Sequence, residues 1–192
     1  MLTQEQKEKN FSTFKRYLTK LIGDTETKTL ILNLGGESTI IEASFGMTKD
    51  SGCAYSGAFL ENVLRIADIA MNINDNVFPE EKRVDAKSIY RSVLLQHLSK
   101  VMMYEYNINQ WEIDNKGILY KFKNTNVILK GGERVILLLL KSGIQDITEE
   151  EFEAIRIVDK MKEEDFAISK YVSTLACIIR QANELNNIVN TH

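Results

Sequence analysis

Two neighbouring stretches decide the fold class: residues 56–73 read SGAFLENVLRIADIAMNI, and residues 85–104 read DAKSIYRSVLLQHLSKVMMY. In the first, apolar side chains recur three or four positions apart at Phe59, Val63, Ile66, Ala67 and Ala70. The second repeats this spacing at Ile89, Val93, Leu94, Leu98 and Val101. Such a spacing is typical of a helix that buries one face. The sequence therefore predicts two long helices.

Further helices are expected on both sides of this pair. Residues Gln4 to Leu21 form an amphipathic pattern that Gly23 ends. The apolar run between Gly132 and Gly143 predicts a buried helix, and a last long helix is expected over residues 169–189. Thr148 and Glu151 have the spacing of a capping box, in which each side chain bonds the other's backbone N–H, so a helix begins there.

One segment has a different pattern. Trp111, Leu119, Tyr120 and Phe122 flank the sequence Asp-Asn-Lys-Gly at residues 114–117, which has the residue types of a hairpin turn. The fold class is therefore mainly α, a helical bundle with a small β-hairpin at about 108–123. Residues 1–50 are expected to form an N-terminal helical arm and a connecting segment, and residues 51–192 the helical domain.

The amino-acid composition limits the classes of protein to which this chain can belong. The chain has 192 residues, 44% of them hydrophobic, and a net charge of −3, which suits a soluble globular domain and gives no electrostatic sign of nucleic-acid binding. Its cysteines, Cys53 and Cys177, lie far apart in no metal-ligand spacing, as expected of thiols in a reducing compartment. The start is polar, and no apolar run reaches the roughly 18 residues of a membrane span. We therefore expect a cytoplasmic protein.

Five short motifs, in this order, carry a resemblance. They are Tyr-Ser-Gly-Ala-Phe-Leu-Glu-Asn at 55–62, Leu-Leu-Gln-His-Leu-Ser-Lys at 94–100, Gly-Gly-Glu-Arg at 131–134, Ala-Ile-Arg at 154–156 and Ala-Asn at 182–183. Their order, with an aromatic hairpin after the second, resembles the HD-domain phosphohydrolases, above all the small bacterial and phage type. The resemblance covers about two thirds of the chain and implies an HD-domain-like helical bundle.

The departures from the family pattern lie at its metal ligands. An active member binds divalent metals through histidine and aspartate side chains, and the metals activate a water molecule. The positions that resemble these ligands hold Asn62, Gln96, His97, Gly131, Val158 and Asn183. Of these, only His97 offers a good ligand atom, and one ligand does not hold a metal. The resemblance thus implies a pseudoenzyme with no catalytic residue, no metal and no cofactor.

Other motif residues are kept. Glu61, Lys100, Glu133 and Arg156 stand where the family has the same residue types, and the resemblance implies that they could surround a ligand pocket. Two pairs of alternatives stay open. The amides Asn62, Gln96 and Asn183 either hydrogen-bond one another or hold a small ligand. A basic spot over the former phosphate site and a set of ordinary surface ion pairs are the two interpretations of Lys100, Lys130, Arg134 and Arg156. A histidine such as His97 is more often a hydrogen-bonded structural residue than a base.

Three functions follow from the resemblance. The first is a non-catalytic binding or structural component of a protein assembly, phage-encoded, in the virion or host cytoplasm, with a protein partner or a second copy as its contact. The second is a module that binds a nucleotide in the emptied pocket. The third is a residual phosphohydrolase that uses His97, Glu61 and Asp159 with Mg²⁺ or Mn²⁺. A carboxylate set of Glu61, Asp68, Asp159 and Glu163 would serve such a metal.

Overall fold

The structure, a computed structural model, describes residues 2–156 and 172–191. In this part the chain is mainly α-helical with one small antiparallel sheet, which confirms the predicted fold class. The helices before the sheet are α1 (Gln4–Ile22), α2 (Asp24–Asn33), α3 (Glu37–Ile41), α4 (Ala58–Val77), α5 (Ala86–Gln96) and α6 (Leu98–Met103). The strands are β1 (Tyr104–Tyr106) and β2 (Tyr120–Phe122), with α7 (Gln110–Lys116) between them. The later helices are α8 (Gly131–Lys141), α9 (Glu149–Arg156) and α10 (Thr174–Asn190).

The core lies around α4, which packs against α10, α5 and α1. Its apolar face is the one that the periodicity predicts, because Phe59, Val63 and Ile66 are fully buried. Each large apolar side chain buried in this way stabilises the fold by about 1.5–3 kcal/mol. Helix α10 lies along α4, so polar groups on the two helices can meet inside the protein.

Helix α1 shares this core. It begins at a capping box on Thr3 and buries Phe11, Phe14 and Leu18. The ring of Phe14 meets that of Phe59 edge to face at 6.2 Å. The domain division at residue 50 stays a prediction, but the N-terminal helix packs against the helices that follow it.

The helix predicted over 85–104 is interrupted at His97. Helix α5 ends at Gln96 and α6 begins at Leu98, with His97 between them at φ −100° and ψ 5°. The imidazole packs edge to face on Phe45 at 4.9 Å and hydrogen-bonds Asn183. These tertiary contacts fix the residue, although the apolar spacing continues through it.

The predicted hairpin needs a correction. The strands pair Tyr104 with Phe122 and Tyr106 with Tyr120, so they begin before residue 108 and are joined by α7 instead of a tight turn. Asn109 caps α7 by accepting hydrogen bonds from the backbone of the first helical turn. Gly117, at φ +64°, ends the helix in the left-handed conformation. The glycine expected to make a turn therefore terminates a helix.

The start of α9 is as predicted. The Thr148 hydroxyl accepts from the Glu151 backbone N–H at 3.2 Å, and the Glu151 carboxylate accepts from the Thr148 N–H at 3.1 Å. The last helix begins at Thr174, where the Ser173 hydroxyl accepts from Ala176 N–H. None of the helices in residues 2–156 and 172–191 combines the length and apolar character of a membrane span.

Candidate functional site

Three of the residues that resemble ligand positions form one hydrogen-bonded chain. The Asn183 Nδ2 donates to the Gln96 Oε1 at 3.0 Å, so the Asn183 amide oxygen is free to accept. The His97 Nε2 lies 2.9 Å from that oxygen and therefore carries the ring proton, which leaves Nδ1 as a bare lone pair. Asn183 thus ties α10 to the junction of α5 and α6.

The end of this chain is not fully satisfied. The Gln96 Nε2 and the His97 Nδ1 are buried and have no hydrogen-bond partner among the described residues. Burial lowers the pKa of His97 to about 3, and the charge of Lys100 lowers it further. The imidazole is therefore neutral near pH 7, which suits a hydrogen-bonding role. A pKa this far below neutral makes it a weak general base.

Asn62 belongs to a second cluster and not to this chain. Its Oδ1 accepts from the Arg65 Nη2 at 2.9 Å, the Asn186 Nδ2 at 2.9 Å and the Asn190 Nδ2 at 2.7 Å. The Asn62 Nδ2 donates to the Ala58 carbonyl in its own helix at 2.8 Å. The Arg65 Nε donates to the Asn186 Oδ1 at 2.7 Å. This cluster joins α4 to α10.

A cavity of about 400 Å³ lies beside the His97–Asn183 pair. Helix α6 and the sheet form one wall, and α10 forms the other. The lining includes Phe45, His97, Ser99, Lys100, Met103, Tyr104, Phe122, Gly131, Arg180, Asn183, Glu184 and Asn187. Its volume is within the range of small-molecule sites.

Lys100 is the charged group set deepest in this lining. Its Nζ donates to the Phe45 carbonyl at 2.7 Å and lies 4.1 Å from the centre of the Phe45 ring. Burial lowers the pKa of Lys100 to about 8. Within the described ranges no carboxylate forms an ion pair with it. At the rim, Arg180 pairs with Glu184 at 3.9 Å, and both are largely exposed.

The other retained motif residues lie elsewhere. The Glu61 carboxylate accepts a hydrogen bond from the Tyr55 hydroxyl. The Glu133 carboxylate accepts from the Lys130 backbone N–H at 2.8 Å and caps α8. Arg156 lines an apolar groove with Leu137, Leu140 and Phe152. Of the four residues expected around a ligand, only Lys100 lines the cavity.

The carboxylates considered for a metal are not brought together in the described part of the chain. Glu61 is bonded to Tyr55, and Asp68 is exposed on α4. Val158, Asp159 and Glu163 lie outside the described residues. In residues 2–156 and 172–191, no three His, Cys, Asp or Glu side chains are grouped as a metal site.

Several site residues had no place in the sequence analysis. Asn186 and Asn190 follow Asn183 at helical spacing on α10, and this polar stripe on a buried helix was a usable signal. Ser99 and Arg180 also line the cavity. Phe45 comes from a loop, and no pattern in the sequence places it against His97.

A second candidate surface is the hairpin segment, residues 104–123. Four of its large apolar side chains are more than half exposed: Tyr106 at 57%, Ile108 at 86%, Trp111 at 59% and Phe122 at 51%. Single exposed apolar residues are ordinary on a protein surface, but several in one short insert are typical of a contact surface.

No protein-family model, curated protein or solved structure matches this chain.

Proposed function

We propose that this protein is a non-catalytic component of a protein assembly and that the hairpin segment makes the main contact. The observation that carries the proposal is the exposure of Tyr106, Ile108, Trp111 and Phe122 within 17 residues of chain, from 106 to 122. Aromatic side chains are enriched at protein interfaces because one group supplies a large apolar area and a polar edge. A net charge of −3 favours a protein partner over nucleic acid.

The amide networks support the non-catalytic half of the proposal. Asn62, Gln96 and Asn183 stand where the family resemblance puts metal ligands, and each hydrogen-bonds side chains of another helix. Neutral amides of this kind hold the helices together and are poor ligands for a transition metal. The same resemblance supports a phage-encoded protein that works in the host cytoplasm or in the virion.

The test removes the exposed apolar groups without touching the core. The double variant Ile108→Ser/Trp111→Ser is compared with Leu32→Ser, an equally exposed apolar residue on α2. Sedimentation velocity of each protein measures self-association, and cross-linking through a photoreactive amino acid in place of exposed Gln110, introduced into each protein, detects a different protein. We expect complexes from the wild type and Leu32→Ser and none from the double variant. A monomer that cross-links to nothing would refute the proposal.

A second function has a specific observation in its favour. The cavity is lined by Lys100, which has no carboxylate partner among the described residues, and by His97, whose buried Nδ1 has no hydrogen-bond partner among them. A buried cation of this kind favours an anionic ligand. In a nucleotide-binding module, a phosphate group of the nucleotide would lie in this cavity and pair with Lys100.

Melting temperatures with and without ATP, GTP or pyrophosphate test this second function. A ligand at about 100 times its Kd adds about 2.7 kcal/mol to native-state stability. Lys100→Met keeps the apolar stem and removes the charge, so it is the matched variant. We expect a ligand-dependent rise in Tm in the wild type and none in Lys100→Met. Equal rises in both proteins would place the ligand elsewhere.

A further inference from the structure

The surroundings of Lys100 are unusual for a lysine. Most lysines keep their ammonium group in water, whereas this one is held against the Phe45 ring and carbonyl, at 4.1 Å and 2.7 Å, and lines a cavity of about 400 Å³. The apolar groups Met103, Tyr104 and Phe122 complete that wall. The amine is thus desolvated and yet next to a space that a small molecule could enter.

Among the described residues no carboxylate forms an ion pair with Lys100. Desolvation by burial lowers the pKa of Lys100, and this effect is larger than that of a negative charge on Cys53, which raises it. In the part of the chain that the structure describes, the titratable groups nearest Lys100 are the buried thiol of Cys53, the His97 imidazole and the Tyr104 hydroxyl. Together with Tyr104, Lys100 also borders a second cavity, whose other titratable lining residues are Glu42, Glu105, Tyr106, Tyr120 and Lys123. The pKa of Tyr104 is raised by burial and that of His97 is lowered to about 3, so both are neutral near pH 7. Since the pKa of Lys100 falls to about 8, about a tenth of the molecules carry Lys100 as a free amine at pH 7, far more than for an ordinary lysine.

A desolvated lysine in an apolar pocket is the arrangement that activates amines as nucleophiles. We propose that Lys100 forms a reversible imine with a small aldehyde or ketone that bears an anionic group. The anionic group would meet Arg180, which lines the same cavity from α10 and whose ion pair with exposed Glu184 is a loose 3.9 Å contact. This inference concerns the cavity and does not depend on the proposed assembly role or on nucleotide binding.

The reaction balances without an oxidant or reductant. The Lys100 ammonium first releases one proton to water. The amine lone pair then forms a C–N bond to the carbonyl carbon, and the π pair of the carbonyl moves to oxygen, which takes up protons. The resulting carbinolamine loses that oxygen as water and leaves a protonated C=N bond. Ammonium and carbonyl compound thus become iminium and water, and hydrolysis reverses the step.

The probe is glyoxylate, the smallest aldehyde with a carboxylate, trapped on lysine by cyanoborohydride at about neutral pH. Peptide mass spectrometry after partial labelling gives the rate at each lysine, with the exposed Lys20 and Lys141 as internal references. Because the pKa of Lys100 falls from 10.5 to about 8, Lys100 has roughly three-hundredfold more free amine near neutral pH than an ordinary lysine. Lower nucleophilicity partly offsets this gain, so Lys100 should react at least about tenfold faster. In denaturant this preference should vanish.

Two variants test the roles of the residues. Arg180→Gln should slow glyoxylate labelling of Lys100 several-fold and leave its reductive methylation by formaldehyde, which has no anionic group, unchanged. Glu184→Gln, which removes the rim carboxylate, should slow neither reaction. Labelling of Lys100 no faster than that of Lys20 and Lys141 in the native protein would overturn the proposal. So would a preference that persists in denaturant, because the cavity would then have no part in it.

Discussion

The His97 Nε2 lies 2.9 Å from the Asn183 Oδ1 although 86 residues separate the two in the chain. The same amide donates from Nδ2 to Gln96, so a single side chain on α10 supplies partners to both residues at the break between α5 and α6. The break and the helix packing therefore depend on one another.

Asn183→Ala should destabilise the protein by about 2 kcal/mol, because it leaves buried polar groups of His97 and Gln96 without partners. Urea unfolding of the variant measures the loss. Asn187→Ala, at an exposed position one turn further on α10, is the matched control and should change stability by less than about 0.5 kcal/mol. Equal stability of the two variants would show that the hydrogen-bonded chain contributes nothing.

The second amide cluster gives a larger expected effect. Asn62→Ala removes the acceptor shared by Arg65, Asn186 and Asn190. The Asn186 and Asn190 amide donors then lose this partner inside the helix interface, while Arg65 keeps its bond to Asn190. The substitution should cost about 3 kcal/mol. Asn72→Ala on the same helix removes only an exposed bond to the Asp68 carbonyl and should be nearly neutral. Thermal unfolding of both variants, followed by circular dichroism, checks the prediction. A small effect of Asn62→Ala would mean that water replaces the lost acceptor.

His97 should make the free energy of unfolding decrease as the pH is lowered. Its folded-state pKa is lowered to about 3 from an ordinary value near 6.5. Below about pH 6.5, the unfolded chain therefore binds a proton at His97 that the native state does not bind. The contribution of His97 to the free energy of unfolding is fully present above about pH 6.5 and decreases as the pH is lowered. Near pH 5 the loss should be about 2 kcal/mol. His97→Gln keeps a hydrogen-bond donor in the side chain and cannot titrate. The difference in urea-unfolding free energy between variant and wild type should therefore shift by this amount from about pH 7 to about pH 5. A pH-independent difference would show that His97 takes up its proton in the native state as well.

Most helices could be predicted because their signals are local. The spacing of Phe59, Val63 and Ile66 and the capping pair Thr148 and Glu151 fix elements through contacts within a few residues. The break at His97 could not be predicted, since Leu94 and Leu98 continue the apolar spacing across it and the cause is a contact with distant Asn183.

The hairpin error has a similar origin. Gly117 in a left-handed conformation suits both a hairpin turn and the end of a helix, and the choice depends on Asn109, which caps α7 from eight residues upstream. In the site, Gln96 and Asn183 lie together, as one of the two open alternatives expected. Asn62 joins Asn186 and Asn190 instead, because all three lie where α4 and α10 pack.

Gly52, in the loop before α4, packs closely against the end of α10. Its φ is +65°, and a Cβ atom on this residue would lie 1.7 Å from the backbone oxygen of Asn190. The backbone at the end of α10 would have to move to make room for that atom. Gly52→Ala should therefore destabilise the protein by clearly more than the roughly 1 kcal/mol expected from the left-handed conformation alone. Gly143→Ala is the matched control, because Gly143 has a φ of +79° and, apart from the glycine itself and its two chain neighbours, no atom of residues 2–156 or 172–191 lies within 4 Å of its Cβ position.

Chemical denaturation and amide hydrogen exchange distinguish the steric clash expected at Gly52 from the cost of the left-handed conformation. Gly143→Ala should lose about 1 kcal/mol with unchanged exchange in α10. Gly52→Ala should in addition speed exchange in the last turn of α10, where Asn190 contacts Asn62. If both variants lose the same stability and α10 exchanges as in the wild type, the loop does not hold the end of that helix. The Asn62 cluster would then keep α10 against α4 by itself.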